Sequence, residues 1–162
     1  MKSTASDAHI TLARGVFSPD MVGRARAEVA RISKDFEPFE VVWEKLTNEE
    51  RPPTKEHPYA HCWIALIFND SKLYKLSNAL DKWLVQEKLS DTFNYVEEVK
   101  GAVTSSRVRS VVADHMNICN YCLLERADEV CSLILNKIPK RFLIEKVAFR
   151  RMDGTHAWEL AL

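Results

Sequence analysis

Apolar residues along this chain recur at every second position, then at helical spacing, then at every second position again, and the whole succession occurs twice. Period two marks strands and period 3.6 marks helices. A chain patterned in this way is committed to an α+β fold built on a repeated strand, helix, strand, strand unit. In the first half, residues 8–14 alternate as a strand. Ser18-Pro19-Asp20 then offers a capping hydroxyl, a proline at the first helical position and an acid, which together start a helix. Met21, Val22, Ala25, Val29, Ile32 and Phe36 predict that helix over 19–35. Pro38 ends it. Residues 39–46, rich in valine and aromatics, read as a strand, the polar, proline-bearing stretch 47–58 as a loop, and residues 61–68 as the hairpin partner.

The second half repeats the order with a strand over 114–122, a helix over 126–138, a strand over 142–150, a turn at Asp153-Gly154 and a strand over 156–162. The buried stripe of that helix is expected at Ala127, Val130, Cys131, Ile134, Leu135 and Ile138. The closing strands match in letters as well. Ala60-His61-Cys62-Trp63-Ile64-Ala65-Leu66 stands against Thr155-His156-Ala157-Trp158-Glu159-Leu160-Ala161, as an internal duplication predicts. Between the halves, Leu73, Leu76, Leu80, Trp83 and Leu84 mark a linking helix over about 71–89. Residues 90–113 mix helical spacing with Gly101, Thr104, Ser105 and Ser106. They read as a surface excursion, or as a flap whose Arg107 and Arg109 meet phosphate. The expected architecture is one bilobal domain of duplicated units, with lobes at 8–68 and 114–162. Two antiparallel-rich sheets would flank a central cleft, with the helices outside.

Lysine plus arginine and aspartate plus glutamate balance at 23 each, so no global positive field draws in a long nucleic-acid duplex. Any polyanion must be bound locally. The apolar runs are too short to span a bilayer, and the first eight residues carry no apolar run of a signal peptide. A cytoplasmic or nuclear setting is therefore expected. In that setting Cys62, Cys119, Cys122 and Cys131 would be reduced thiols.

Each half opens on a histidine motif, His9-Ile10-Thr11-Leu12 and His115-Met116-Asn117-Ile118. Alternation on a strand puts His9 with Thr11, and His115 with Asn117, on one face, leaving the apolar partners for the core. Histidine titrates near neutrality without tuning, so two imidazoles facing one phosphodiester can divide acid and base work.

With these paired motifs, the helix that follows each and the closing hairpin 142–162, the chain resembles the 2H phosphoesterases. Among them it is most similar to the 2′-5′ RNA ligase-like cyclic phosphodiesterases and the RNA-trimming enzymes of the same fold. The resemblance implies that His9 and His115 act as general acid and base, without cofactor or metal. It implies that Thr11 and Asn117 hold the non-bridging oxygens, on short RNA termini or small nucleotides. Two features depart from the family pattern. Asn117 stands where the family carries a second threonine or serine, so activity could be reduced or redirected, and the first motif lies almost at the start of the chain. Arg14, just past the first motif, is a candidate phosphate contact, as are Arg150 and Arg151. Trp63 and Trp158 could stack on a base, although packing within their hairpins is the simpler role.

Two other readings compete with this one. His115, Cys119, Cys122 and Cys131 contain half of a zinc ligand set, but regular strand alternation would splay Cys119 from Cys122. A non-catalytic nucleotide- or RNA-binding module of the same fold is favoured by the altered second motif at Asn117.

Overall fold

The computed structural model describes residues 9–55, 57–89, 114–150 and 156–162. In chain order these contain α1 (Met21–Ser33), β1 (Phe39–Arg51), β2 (His61–Phe68), α2 (Ser71–Gln86), β3 (His115–Leu123), α3 (Ala127–Lys137), β4 (Arg141–Ile144), β5 (Lys146–Arg150) and β6 (His156–Ala161). The class is α+β, as the mixed periodicity requires. One four-stranded sheet runs β3-β2-β1-β4, and β5 pairs with β6 in an antiparallel hairpin. The expected flap 90–113 with Arg107 and Arg109, Arg151, and the turn at Asp153-Gly154 lie outside the described residues.

By contact the chain divides into two compact units, and each draws on both halves of the sequence. The first takes His9 and Ile10, Val41–Asp70 and Asp114–Phe142; the second takes Thr11–Glu40, the stretch from Ser71 and Leu143–Leu162. The lobes expected from the sequence follow one another along the chain, whereas these units interleave. The pairing of β2 with β3 joins the closing strand of the first half to the opening strand of the second within one sheet.

In the first unit the core face of the sheet carries Cys62, Ile64, Leu66 and Phe68 from β2 and Met116 and Cys122 from β3. Ala127 and Ile134 of α3 are buried too. Each such aliphatic or aromatic side chain contributes about 1.5–3 kcal/mol by leaving water. The second unit buries Ala25, Val29 and Ile32 of α1 with Leu73, Leu76, Leu80, Trp83 and Leu84 of α2. An aromatic chain extends that core. Phe17 lies 6.3 Å from Trp83 and 5.0 Å edge-on from Phe149, which lies 5.3 Å from Trp158. The Trp158 indole N–H donates to the Val22 carbonyl at 3.3 Å, which ties this ring into its own hairpin and α1. Gly15 lets the chain pass close to the end of α2. Val16 N donates to Leu89 O at 2.7 Å, and a Cβ on Gly15 would come within 2.8 Å of that same oxygen.

Several local expectations change. The stretch 47–58 is not all loop, because β1 continues to Arg51 and pairs residue by residue with β2 as far as Arg51↔His61. Cross-strand pairing holds a polar segment whose own pattern carries no strand signal, and Pro52-Pro53 then ends it. Residues 142–150 are not one strand. They change partners at Glu145, with β4 joining the large sheet and β5 the hairpin. In place of the strand expected over 8–14, the described residues 9–14 make one bridge, Ile10↔Met116. Further along this stretch the Leu12 carbonyl accepts from the Ser77 hydroxyl of α2 instead of a neighbouring strand. Ser18 does not cap α1, whose N-terminus has no side-chain cap. Its hydroxyl instead bonds the Asp20 carboxylate and holds that group below the usual carboxylate range. On α3 the expected buried stripe shrinks to Ala127 and Ile134, and Leu135 is 59% exposed.

Candidate functional site

One face of the four-stranded sheet packs the core, and the other gathers the polar residues of the second motif. Leu66↔Met116 fixes the buried face, so the flanking pairs Ala65↔Asn117 and Ile67↔His115 turn the other way. On β1 the partners of this face are Thr47 opposite Ala65 and Glu49 opposite Trp63.

His115 is half-buried and held on two sides. Its Nδ1 lies 2.8 Å from Asp114 Oδ1. A carboxylate only accepts, so Nδ1 carries a proton, and in the neutral ring Nε2 is the acceptor. The imidazole also meets the Trp63 ring edge-to-face, with centroids 5.4 Å apart. Trp63 in turn donates its indole N–H to Asn117 Oδ1 at 2.7 Å. Because indole nitrogen is donor only, the amide oxygen must be the atom facing it, and the Asn117 NH2 group points elsewhere as a donor. Arg51 lies over the Trp63 ring at 5.0 Å and also reaches Glu49 at 3.2 Å. Trp63 therefore has its N–H and its ring engaged within the protein, and works as a brace between His115 and Asn117.

His9 lies on the neighbouring segment, next to an isolated bridge to this sheet. That bridge, Ile10↔Met116, is antiparallel, a register that, carried one residue further, would set the His9 backbone opposite Asn117 and one diagonal step from His115. Backbone positions at that diagonal lie roughly 7–8 Å apart. His9 is exposed. It belongs with His115 and Asn117 in the first unit, while Thr11, half-buried, and Arg14, exposed, belong to the second.

The cysteines do not follow simple alternation. The register between β2 and β3 shifts twice, between Cys62 and Ile64 and again between Ile64 and Ala65. Each shift inserts an extra β3 residue, the signature of a bulge. Cys119 then falls opposite Ile64, and Cys122 opposite Cys62. Both are turned toward the core rather than splayed apart. Burial pushes the thiols of Cys62, Cys122 and Cys131 up, keeping them protonated at neutral pH. All four cysteines are free. Among the described residues no group of three His, Cys, Asp or Glu side chains is arranged to hold a metal ion, and no helix is long and apolar enough to cross a membrane.

Spacing does not mark Asp114 as a site partner, and it offers Trp63 as a stacking surface for a base rather than as a brace. Asp114 had a local signal, a carboxylate directly before the motif histidine. The role of Trp63 depends on the β2–β3 register, which no local pattern encodes. No family model matches the chain, and no curated protein matches its sequence.

Proposed function

We propose that this protein is a phosphodiesterase that hydrolyses 2′,3′-cyclic phosphates or 2′-5′ phosphodiester bonds in RNA termini or small nucleotides, without a metal. The observation that carries the reading is the isolated antiparallel bridge Ile10↔Met116, which brings the residue after His9 against the residue after His115. In this reading His115 is the general base. Asp114 holds the Nδ1–H, so Nε2 takes a proton from the attacking water, and the carboxylate stabilises the imidazolium that forms. The water oxygen bonds to phosphorus, the bond to the ribose 2′ or 3′ oxygen breaks, and His9 gives that oxygen its proton. A cyclic phosphate thereby becomes a monoester.

Asn117, oriented by Trp63, donates its amide hydrogens to a non-bridging oxygen as charge develops. The roles of Thr11 and Arg14, which fall in the second unit, rest on the resemblance to the 2H phosphoesterases alone. The same reading takes the chain as a duplicated, two-lobed domain of that superfamily. It is supported by the order helix, strand, strand after each motif.

A second reading, a nucleotide- or RNA-binding module without catalysis, is favoured by Asn117 in place of a hydroxyl residue. The experiment that separates them is hydrolysis of 2′,3′-cyclic nucleotides and 2′-5′-linked oligoadenylate by the wild type, His9→Ala and His115→Ala. Turnover by the wild type alone supports the enzyme. Three equally silent proteins that still bind nucleotide would establish the binding module.

A further inference from the structure

We infer that the sheet face bearing His115 and Asn117 continues into a nucleobase platform made by Tyr121 stacked on His57, with the buried His61 behind it, so that the substrate is the end of a single-stranded oligoribonucleotide rather than a mononucleotide. This rests on the preceding reading that the His115 end of the face receives a phosphodiester.

The three rings form one cluster. His57 stacks on Tyr121 with centroids 3.6 Å apart and planes 23° from parallel. His61 meets Tyr121 at 5.0 Å and His57 at 5.8 Å. The His61 ring is fixed from below, its Nδ1 lying 3.2 Å from the Tyr59 carbonyl. Tyr121 nevertheless keeps 55% of its surface exposed, and the neighbouring Tyr59 keeps 76%. In the inferred platform the exposed part of this ring, held by His57 and His61, offers a base a π-face of fixed orientation. Such a face accepts any base.

The cluster lies on the same side of the sheet as the second motif. His61 and Trp63 are two residues apart on β2 and share a face, separated by roughly 7 Å along the strand. Trp63 contacts His115 and Asn117, and His61 contacts Tyr121. The two bulges of β3 bring this about. They turn Cys119 and Cys122 inward, while Tyr121 is left outward on His61. Trp63 itself is already occupied by Arg51, His115 and Asn117, so the base goes to the Tyr121 cluster beyond it.

The charges around the platform set the kind of ligand. Arg51 suits a phosphate backbone, but Glu49 already pairs with it. Affinity then comes from stacking, with a shallow salt dependence, as for a short strand touching few phosphates.

The test is titration of full-length protein with a 3′-phosphorylated tetra-adenylate and, separately, with adenosine 3′-monophosphate, for the wild type, Tyr121→Ala and Tyr121→Phe. Circular dichroism would confirm that each is folded. Loss of one stacked base weakens tetranucleotide binding about 5- to 100-fold in Tyr121→Ala. Tyr121→Phe retains it, and mononucleotide binding is the same in all three. Equal tetranucleotide affinity for wild type and Tyr121→Ala, a parallel loss for both ligands, or no tetranucleotide binding by the wild type would overturn the inference. Neither ligand is hydrolysed, so the result is independent of catalysis. Tyr121-dependent binding without any cyclic phosphate turnover would reject the enzyme and keep the platform, and turnover without Tyr121-dependent binding would do the reverse.

Discussion

The two motif histidines are held by different means. His115 sits in a regular strand, on the 2.8 Å contact to Asp114 and against the Trp63 ring. His9 is carried by a segment that meets the sheet at one bridge, and that segment is steadied further on by the Ser77 bond to Leu12. Under the proposed mechanism this contrast amounts to a division of labour. A proton acceptor gains from a fixed tautomer and a carboxylate behind it. A proton donor needs only to be near the leaving oxygen, and an exposed side chain on a short segment suffices.

The largest effect expected is on catalysis. His9→Ala and His115→Ala should each lower hydrolysis of a 2′,3′-cyclic nucleotide by about 10²–10⁴-fold, measured by product release under steady-state conditions. Equal activity in either variant would remove that histidine from the mechanism. Asp114→Asn isolates the His115 side, because it removes the carboxylate bonded to that imidazole. Losing a charged hydrogen bond worth about 1.5–3 kcal/mol predicts a drop of roughly 10- to 100-fold in kcat, with KM little changed. Trp63→Phe keeps the ring and removes one N–H donor, so a loss of only about 0.5–1.5 kcal/mol is expected. That loss should vanish in an Asn117→Thr background, where there is no amide left to orient. A double-mutant cycle on kcat reads the coupling directly.

Ser77→Ala probes the His9 side. Removing the hydroxyl should destabilise the fold by about 1 kcal/mol in chemical denaturation and slow turnover, while the His115–Asp114 pair is untouched. The smallest effect concerns the buried thiols. Their folded values are raised by burial, so the protonated form is favoured by folding. That contribution is complete below the ordinary thiol range and is lost as pH climbs through the raised values. Denaturation midpoints should therefore fall at alkaline pH, and Cys62→Ala and Cys122→Ala should flatten the fall.

The class of the fold was legible because period two and period 3.6 are local signals. The α2 stripe from Leu73 to Leu84 is buried as its spacing predicts, and β2 runs over the expected residues. What escaped the sequence is non-local. The extension of β1 through Asn48, Glu49, Glu50 and Arg51 depends on β2 as its partner. The break at Glu145 depends on two different sheets competing for one stretch of chain. The candidate site shows the same limit. His9, His115 and Asn117 stood out as a motif, whereas Trp63 could be recognised as their brace only from the β2–β3 register, and the outward turn of Tyr121 only from the bulges.

The central claim is that His9 and His115 address one anion. It is tested most directly by following the imidazole resonances of both residues by NMR during titration with inorganic phosphate at constant pH. The account predicts that both rings shift together along a single saturation curve, and that Asp114→Asn alters the His115 response more than that of His9. Movement of one ring alone, or two curves with different midpoints, would contradict it.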